Sequence, residues 1–180
     1  FKNENFSRAD IRYCNFSFSK MQEAKLAHVN AYKAIFDSTR LAKADLREAM
    51  FKNARFIGAN MVQAILCSSD LRCARLTKAD CTGALFQKAT LVGADLSNST
   101  LKQAKFQNCD LRHADFSFAD LSEAHFTGAD LRGARLNWED WEDHTYFRNA
   151  IVTQHQYDQI TMSKSAKRDL RLTIVEDDEE

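Results

Sequence analysis

The residue types best suited to catalysis or metal binding are five cysteines and five histidines, and their spacing favours neither activity. No two cysteines stand in the C-x-x-C arrangement of zinc and redox motifs. His113 and Cys73 share a column of the repeat described below, but strand spacing puts them about 10 Å apart, too far for one metal ion. No phosphate loop and no nucleophile elbow are present. The sequence therefore predicts no catalytic residue, no metal, no cofactor and no enzymatic activity.

The cysteines are instead expected to be reduced thiols. Cys14, Cys81 and Cys109 fall on positions that we predict to point into the core, where a thiol packs as a small apolar group. Cys67 and Cys73 are predicted to point outward on different faces, so no disulfide is expected. Reduced thiols fit a cytoplasmic protein, although a secreted effector is also considered.

A five-residue repeat positions all of these side chains, running from Phe6 to Leu136 without an insertion. A large apolar residue recurs at every fifth position, and a small residue precedes it by two. Alanine fills 19 of the 27 small positions. A period of five fits neither the turn of an α-helix nor the alternation of a flat strand. It is satisfied if five residues form one side of a coil, four sides close a square, and the large and small residues point inward.

Four sides per coil would sort the large residues into four columns, two of which contain runs of phenylalanine. We predict that these rings stack as aromatic ladders along the bore. The two ladders are Phe16, Phe36 and Phe56, and Phe86, Phe106 and Phe126.

The frame Ala-(Asp/Asn)-(Leu/Phe)-x-x resembles that of the pentapeptide-repeat proteins. Its plainest copies are Ala44-Asp45-Leu46, Ala94-Asp95-Leu96 and Ala129-Asp130-Leu131, and the resemblance extends to residue 152. It implies an all-β fold, a right-handed quadrilateral parallel β-helix of about seven coils with a short C-terminal helical cap. Because the family holds many unrelated roles, the resemblance says little about function.

Outward-pointing side chains decide what such a rod can bind. One column is basic and faces a neighbouring column of aspartates, so a charge ladder between coils is expected, either as solvated ion pairs or as a docking strip for a partner. The basic residues are Arg12, Lys52, Arg72, Arg112 and Arg132. Apolar residues predicted to point outward would mark an interface if they formed one contiguous patch. They include Ile35, Ile57, Ile65 and Leu85.

Three segments are expected: a repeat domain over 1–138, a cap over 139–162 and a charged tail over 163–180. Thr153 and Gln156 form a capping-box pattern, which predicts a short helix. Leu172–Val175 could be a short strand, and the tail is either mobile or an arm that docks on a partner or a second copy. Bulky residues near the end of the stack are candidate cap or dimer contacts. They are Trp138, Trp141, Tyr146, Phe147 and Tyr157.

The formal net charge is zero, which argues against a general attraction to nucleic acid or anionic lipid. No apolar run is long enough to cross a bilayer. Because Phe1 already stands in the repeat frame, we expect further sequence upstream of it in the native protein, as a cap or another domain.

Three functional interpretations remain open from the sequence. The first is a non-enzymatic scaffold for protein–protein interaction, as part of a larger bacterial protein such as an effector or adaptor. The second follows from the family resemblance alone: a DNA mimic that binds DNA gyrase, as in quinolone resistance, with dimerisation through the C-terminal segment. The basic column and the zero net charge depart from that pattern. The third is a structural spacer between domains.

Overall fold

The backbone winds into a parallel β-helix whose coils are joined by bridges between residues twenty positions apart, from Asn5–Lys25 to Asp115–Arg135. This computed structural model describes residues 1–137, 145–159 and 171–177. Twenty residues are four sides of five, so each coil is a quadrilateral, as the repeat predicts. The predicted segment boundaries at 138/139 and 162/163, together with Trp138 and Trp141, lie outside the described residues.

Every corner of a coil is a tight turn. In a representative corner, the N–H of Ala74 donates to the carbonyl of Leu71 at 3.0 Å, and the residue between them in the third place, Cys73, has a φ of 55°. A four-residue turn with a left-handed third residue is a type II turn. The large residue opens the turn and the small residue closes it, so both side chains face the bore. All five glycines of the chain occupy such left-handed places.

The bore is filled by the large and small residues of the repeat, which are buried from Met21 onward in an almost unbroken series. The two predicted aromatic ladders are confirmed. Phe36 and Phe56 stack with ring centroids 4.9 Å apart, and Phe106 and Phe126 stack at 5.0 Å. Phe147 continues the second ladder, 5.0 Å from Phe126 and with its ring nearly parallel. These centroid distances match the spacing between adjacent coils, because each ring lies one coil above the ring it stacks on.

Polar residues at the small positions are accommodated because the nearby backbone accepts their protons. The Thr39 hydroxyl donates to the Phe16 carbonyl at 2.8 Å, and the Ser69 hydroxyl donates to the Leu66 carbonyl at 2.7 Å. A buried hydroxyl with such a partner avoids the desolvation cost of an unpaired group.

The cysteines at core positions differ from one another. Cys81 and Cys109 are buried as predicted, and burial raises the pKa of the Cys109 thiol to about 12. The prediction for Cys14 was wrong, since this residue is exposed. Cys14 and the partly buried Phe16 both lie in the first described coil. This coil contacts a neighbouring coil on one side only.

Regular elements appear where the stack ends. Strand β1 spans Ile151–Thr153, helix α1 spans Gln154–Gln159, and strand β2 spans Thr173–Val175. β1 lies above the coil of Asp130, and β2 pairs in parallel with β1, with Ile151 opposite Thr173. Residues 171–175 of the charged tail therefore pair with residues 149–153 of the same chain, and Leu172 packs against the core.

We expect Leu71→Ala to lower the free energy of unfolding by about 2–5 kcal/mol, because it opens a cavity in a closely packed bore. Leu71 is fully buried. Leu85→Ala is the matched control: the chemical change is the same, but Leu85 stands at an outward position and is only half-buried, so its effect should be clearly smaller. Urea unfolding measures both, and equal losses would contradict the inward placement of Leu71.

Candidate interaction surfaces

Most arginines of the basic column are held by an aspartate of the same side. In the sequence Asp-Leu-Arg, or Asp-Ile-Arg in the first coil, the arginine side chain forks onto the aspartate two residues earlier. The Nη2–Oδ2 distance is 2.5 Å for Arg72–Asp70 and 2.8 Å for Arg112–Asp110. Arg12–Asp10 and Arg132–Asp130 repeat this geometry. Bidentate pairing of this kind is the strongest form of surface ion pair.

The aspartate of each pair also orders the backbone. Asp70 Oδ1 accepts a hydrogen bond from the Arg72 N–H at 3.1 Å in addition to the one from the guanidinium. These donors lower the pKa of Asp70, with the Arg72 side chain as the main cause, and the same arrangement lowers the pKa of Asp110. Burial opposes the shift in both cases.

The expected charge ladder between coils is therefore largely replaced by pairing within a coil. One contact of the described residues crosses between coils in this column, Arg112 Nε to Asp130 Oδ2 at 3.9 Å. The carboxylate two residues earlier on the same side lies closer to the guanidinium than the carboxylate of the neighbouring coil. The arginine therefore pairs with the carboxylate of its own side. Lys52 follows Met50 in place of an aspartate and is exposed without an ion pair in the described part of the chain. The signal that could have predicted this pairing is the repeated Asp-(Leu/Ile)-Arg triplet, which also gives Asp45–Arg47.

The apolar candidates are half-buried and lie in two separate places. Ile65 and Leu85 are bridge partners in adjacent coils of one column. Ile35 stands in a different column, between Asn15 and Arg55. Ile57 lies two residues after Arg55, the bridge partner of Ile35, and its N–H donates to Asp37 Oδ1 at 3.0 Å. The structure thus brings Ile65 and Leu85 together but does not join the four residues into one patch.

Exposed aromatic residues at the left-handed corners were not among the predicted surface sites. Tyr13, Phe18 and Phe118 have φ of 61°, 62° and 59° and are 64%, 79% and 75% exposed. A bulky side chain in this backbone region is uncommon and strained, and such strain is concentrated at functional sites. Phe18 and Phe118 occupy the same column of corners, at its two ends. The signal in the sequence is a large aromatic two places after a core residue, where most repeats carry a polar residue.

Among the described residues, the buried side chain of Gln156 links helix α1 to the last coil. Its Nε2 donates to the Leu131 carbonyl at 2.9 Å and to the Ala134 carbonyl at 3.0 Å, and its Oε1 accepts the Thr153 N–H at 2.9 Å. The Gln156 N–H donates in return to Thr153 Oγ1 at 3.2 Å. This is the reciprocal pattern of a capping box, extended by two bonds to the last coil.

The candidate cap residues differ in their availability for a partner. Phe147 is 2% exposed, so its ring is committed to the chain's own ladder and is not free to make the proposed dimer contact. Tyr146 is 46% exposed and stacks on His125 with ring centroids 4.3 Å apart. Burial, followed by the nearby charge of Lys105, lowers the pKa of His125. Tyr157 is partly buried against the core.

A cleft of about 580 Å³ lies between the last coil and the C-terminal elements. His113 and His155 both line it, together with Arg132 and Asp177. Among the described residues, no group of three or more His, Cys, Asp or Glu side chains could hold a metal ion. The His155 N–H donates to Asp177 Oδ1 at 3.4 Å, and this bond links α1 to the residues that follow β2. In the part of the chain that is described, no helix is long and apolar enough to cross a membrane.

A family model described as pentapeptide repeats matches this sequence in eight copies, over residues 1–26, 34–72, 68–103 and 101–137. The structure is similar to that of HetL, a pentapeptide repeat protein involved in heterocyst differentiation regulation from the cyanobacterium Nostoc sp. strain PCC 7120. That match has 23% identity and a TM-score of 0.53, and covers 85% of this chain and 81% of HetL. A search of curated protein sequences gives no match.

A second similar structure is a trypsin-treated variant of QnrB1, a plasmid-mediated fluoroquinolone resistance protein. The identity is 20% and the TM-score 0.55, over 95% of this chain and 84% of the other. At these identities the likeness shows the fold alone, the right-handed quadrilateral β-helix.

We expect removal of the Gln156 side chain to loosen the end of the stack. Gln156→Ala removes the side-chain partner of the Ala134 carbonyl and of the Thr153 N–H, and it leaves the Leu131 carbonyl with the Ala134 N–H alone, so it should cost about 1–3 kcal/mol of unfolding free energy. Gln154→Ala is the control, since Gln154 is exposed and bonds only to Asp158 among the described residues. Hydrogen exchange at Leu131–Ala134 should rise in the first variant alone. Equal exchange in both variants would contradict the sealing role of Gln156.

We expect acid to destabilise the protein through the paired aspartates. Their folded-state pKa values lie below the unfolded value, so their contribution is present above about pH 4 and is lost as pH falls through the folded pKa. Urea unfolding at pH 7 and near pH 3 measures this loss. The double variant D70N/R72Q should lose less on acidification than the parent. Lys78→Gln, which leaves every aspartate pair intact, should lose as much as the parent, and an unchanged loss in D70N/R72Q would contradict the assignment.

Proposed function

This chain belongs to the pentapeptide-repeat family, and we propose that it is a non-enzymatic scaffold whose outward side chains bind another protein. We further propose that about seven coils over residues 1–138 form the rod, that 139–162 form a helical cap, and that the scaffold acts in the bacterial cytoplasm as part of a larger effector or adaptor. The proposal is compatible with a C-terminal homodimer. It requires neither a cofactor nor direct contact with nucleic acid.

The observation that carries the proposal is the use of bulky aromatics at strained corners. Phe18 and Phe118 stand where the backbone is left-handed, and both side chains extend into solvent. Neither residue gains core packing that would offset the backbone cost, so folding alone does not account for them. Exposed aromatics are also the residues most enriched at the centres of protein interfaces.

The interior supports a scaffold rather than a container. The bore is filled by stacked phenylalanine, leucine and alanine side chains from coil to coil. Chemistry of any kind must therefore take place on the outer faces. There the aspartates are engaged by arginines or by serine and threonine hydroxyls, as in the bonds from Ser97 and Thr77 to Asp95. Carboxylates that already have hydrogen-bond partners are better suited to contacting the surface of another protein than to catalysis.

The DNA-mimic alternative rests on the fold shared with QnrB1. A mimic of duplex DNA needs uncompensated negative charge on its surface, because DNA carries a negative charge on every phosphate. Beside the basic column, each aspartate of the Asp-(Leu/Ile)-Arg triplets is neutralised by the arginine two residues later. This chemistry favours the scaffold over the mimic, and a DNA gyrase supercoiling assay with the purified chain tests the mimic directly.

We expect Phe18→Asn and Phe118→Asn to abolish capture of the partner while leaving the fold intact. Asparagine is tolerated at positive φ, so unfolding free energy should be unchanged or rise by up to about 1 kcal/mol. Lys78→Asn is the matched control, because Lys78 occupies the same column of corners with a φ of 60°. Pull-down from the native host compares the three variants with the parent, with and without residues 163–180.

The outcome separates a binding surface from a spacer. Loss of a retained protein in the two phenylalanine variants, with retention in Lys78→Asn, supports the scaffold. Equal retention by all variants would remove the aromatic corners from the interface. If the parent itself retains nothing, the spacer interpretation replaces the scaffold.

A further inference from the structure

The zero net charge of the chain conceals a strong separation of charge along the rod. Residues 1–80 contain 14 Lys and Arg against 8 Asp and Glu, a net charge of +6. Residues 81–137 are balanced, with 6 of each sign. Residues 138–180 contain 5 Lys and Arg against 11 Asp and Glu, a net charge of −6, and the sequence closes with five acidic residues, 176–180. Asymmetry of this kind indicates interaction between charged segments.

The structure gathers much of the positive charge on one flank. We define the basic flank as six exposed residues of the first four coils. They lie on the side that contains the bridge partners Arg55 and Arg75 and at the corners at either end of that side. They are Lys33, Lys52, Arg55, Arg72, Arg75 and Lys78. Arg55 and Arg75 are bridge partners, and the Lys33 N–H bonds to the Lys52 carbonyl, so these side chains leave adjacent coils at strand spacing.

Part of this charge is not neutralised within the chain. Arg55 pairs with Asp37, and Arg72 pairs with Asp70. No described carboxylate lies within ion-pair distance of Lys33, Lys52 or Lys78. The flank therefore presents uncompensated positive charge to a partner.

The acidic end of the same chain does not extend to the lower part of this flank. β2 holds Thr173 two steps above Asp130 in a column that descends through Asp110, Thr90 and Asp70 to Met50. Lys52 is therefore about 29 Å below β2 along the rod axis, by strand spacing. The five residues that follow Val175 span at most about 17 Å when fully extended. Pairing of the acidic end with Lys33 and Lys52 is therefore expected between different molecules.

We propose that the acidic end of one copy of this chain docks on the basic flank of a second copy, giving head-to-tail self-association. The acidic end consists of Glu176 and Asp177, both exposed in the structure, and of the three acidic residues that follow them in the sequence. This deepens the proposed scaffold function, on which it rests, by naming a second copy as one occupant of the outer surface.

Charge also selects between the two ways in which copies could meet. A two-fold contact through the C-terminal segments would bring two regions of net −6 together, and like charges oppose such an interface. A head-to-tail contact brings net −6 against net +6. Such a contact is heterologous, so it propagates along a row of molecules unless it closes into a ring.

The test is sedimentation of the purified full chain over a range of concentrations at about 20 mM and about 500 mM salt. We expect the copies to associate at low salt. The association constant should fall tenfold or more at high salt, because salt screens the charges that attract the copies. The flank variant K33E/K52E/K78E should be monomeric at low salt. The tail variant E176K/D178K/E179K/E180K should be monomeric as well, and an equimolar mixture of the two should associate again as a heterodimer.

The matched control is K88E/K102E/K105E, which reverses three exposed lysines of higher coils outside the flank. It should self-associate like the parent. Circular dichroism melting verifies that each variant is folded, and the tail variant alone carries the test if the flank variant is not.

Three results would overturn the proposal: a monomeric parent at low salt, association that salt does not weaken, or loss of association in the control. Because these measurements use the chain alone, they are independent of whether a different protein is captured in the pull-down.

Discussion

The ladder of backbone hydrogen bonds between coils is the constraint on which the rest of this structure depends. The N–H of the large residue that opens a turn bonds to the coil above, as Leu71 N–H does to the Thr90 carbonyl at 2.7 Å, and the N–H before it bonds to the coil below, as Asp70 N–H does to the Ala49 carbonyl at 2.9 Å. The ladder locks the register at twenty residues, so every side chain has a fixed counterpart one coil away. It follows that the bore must be filled by residues of nearly constant size, and that the outer surface is organised in columns.

The corners transmit this constraint to the surface. A side of five residues can turn only if its third turn residue is left-handed, and the chain supplies glycine for just five of these places. The remaining corners carry ordinary residues at a local backbone cost that ladder and core packing together offset. This tolerance allows the outer corners to carry side chains such as Phe18 and Tyr13 without loss of the fold. The same tolerance makes the corners the natural place for recognition.

The first and the last described coils are packed in different ways. At the C-terminal end, the Gln156 side chain satisfies two carbonyls of the last coil, and β2 covers part of the remaining edge. At the other end of the described chain, Phe1, Phe6 and Phe16 form an edge-to-face cluster on the first coil. The separation of charge along the rod gives the proposed self-association a direction.

The order of the amino acids is enough to predict the fold, because a five-residue period admits few backbone solutions and the core residues from Phe36 to Phe126 keep one frame. It also located the capping box at Thr153 and Gln156, since that pattern is local in the chain. Only the tertiary structure decided which carboxylate each arginine selects, because the choice between Asp70 and a neighbouring coil depends on side-chain reach rather than on order in the sequence. Exposure of Cys14, burial of Phe147 and the return of Thr173–Val175 onto β1 were decided there too. Each depends on what lies above or below the residue in the stack, and that neighbour is twenty or more positions away in the chain.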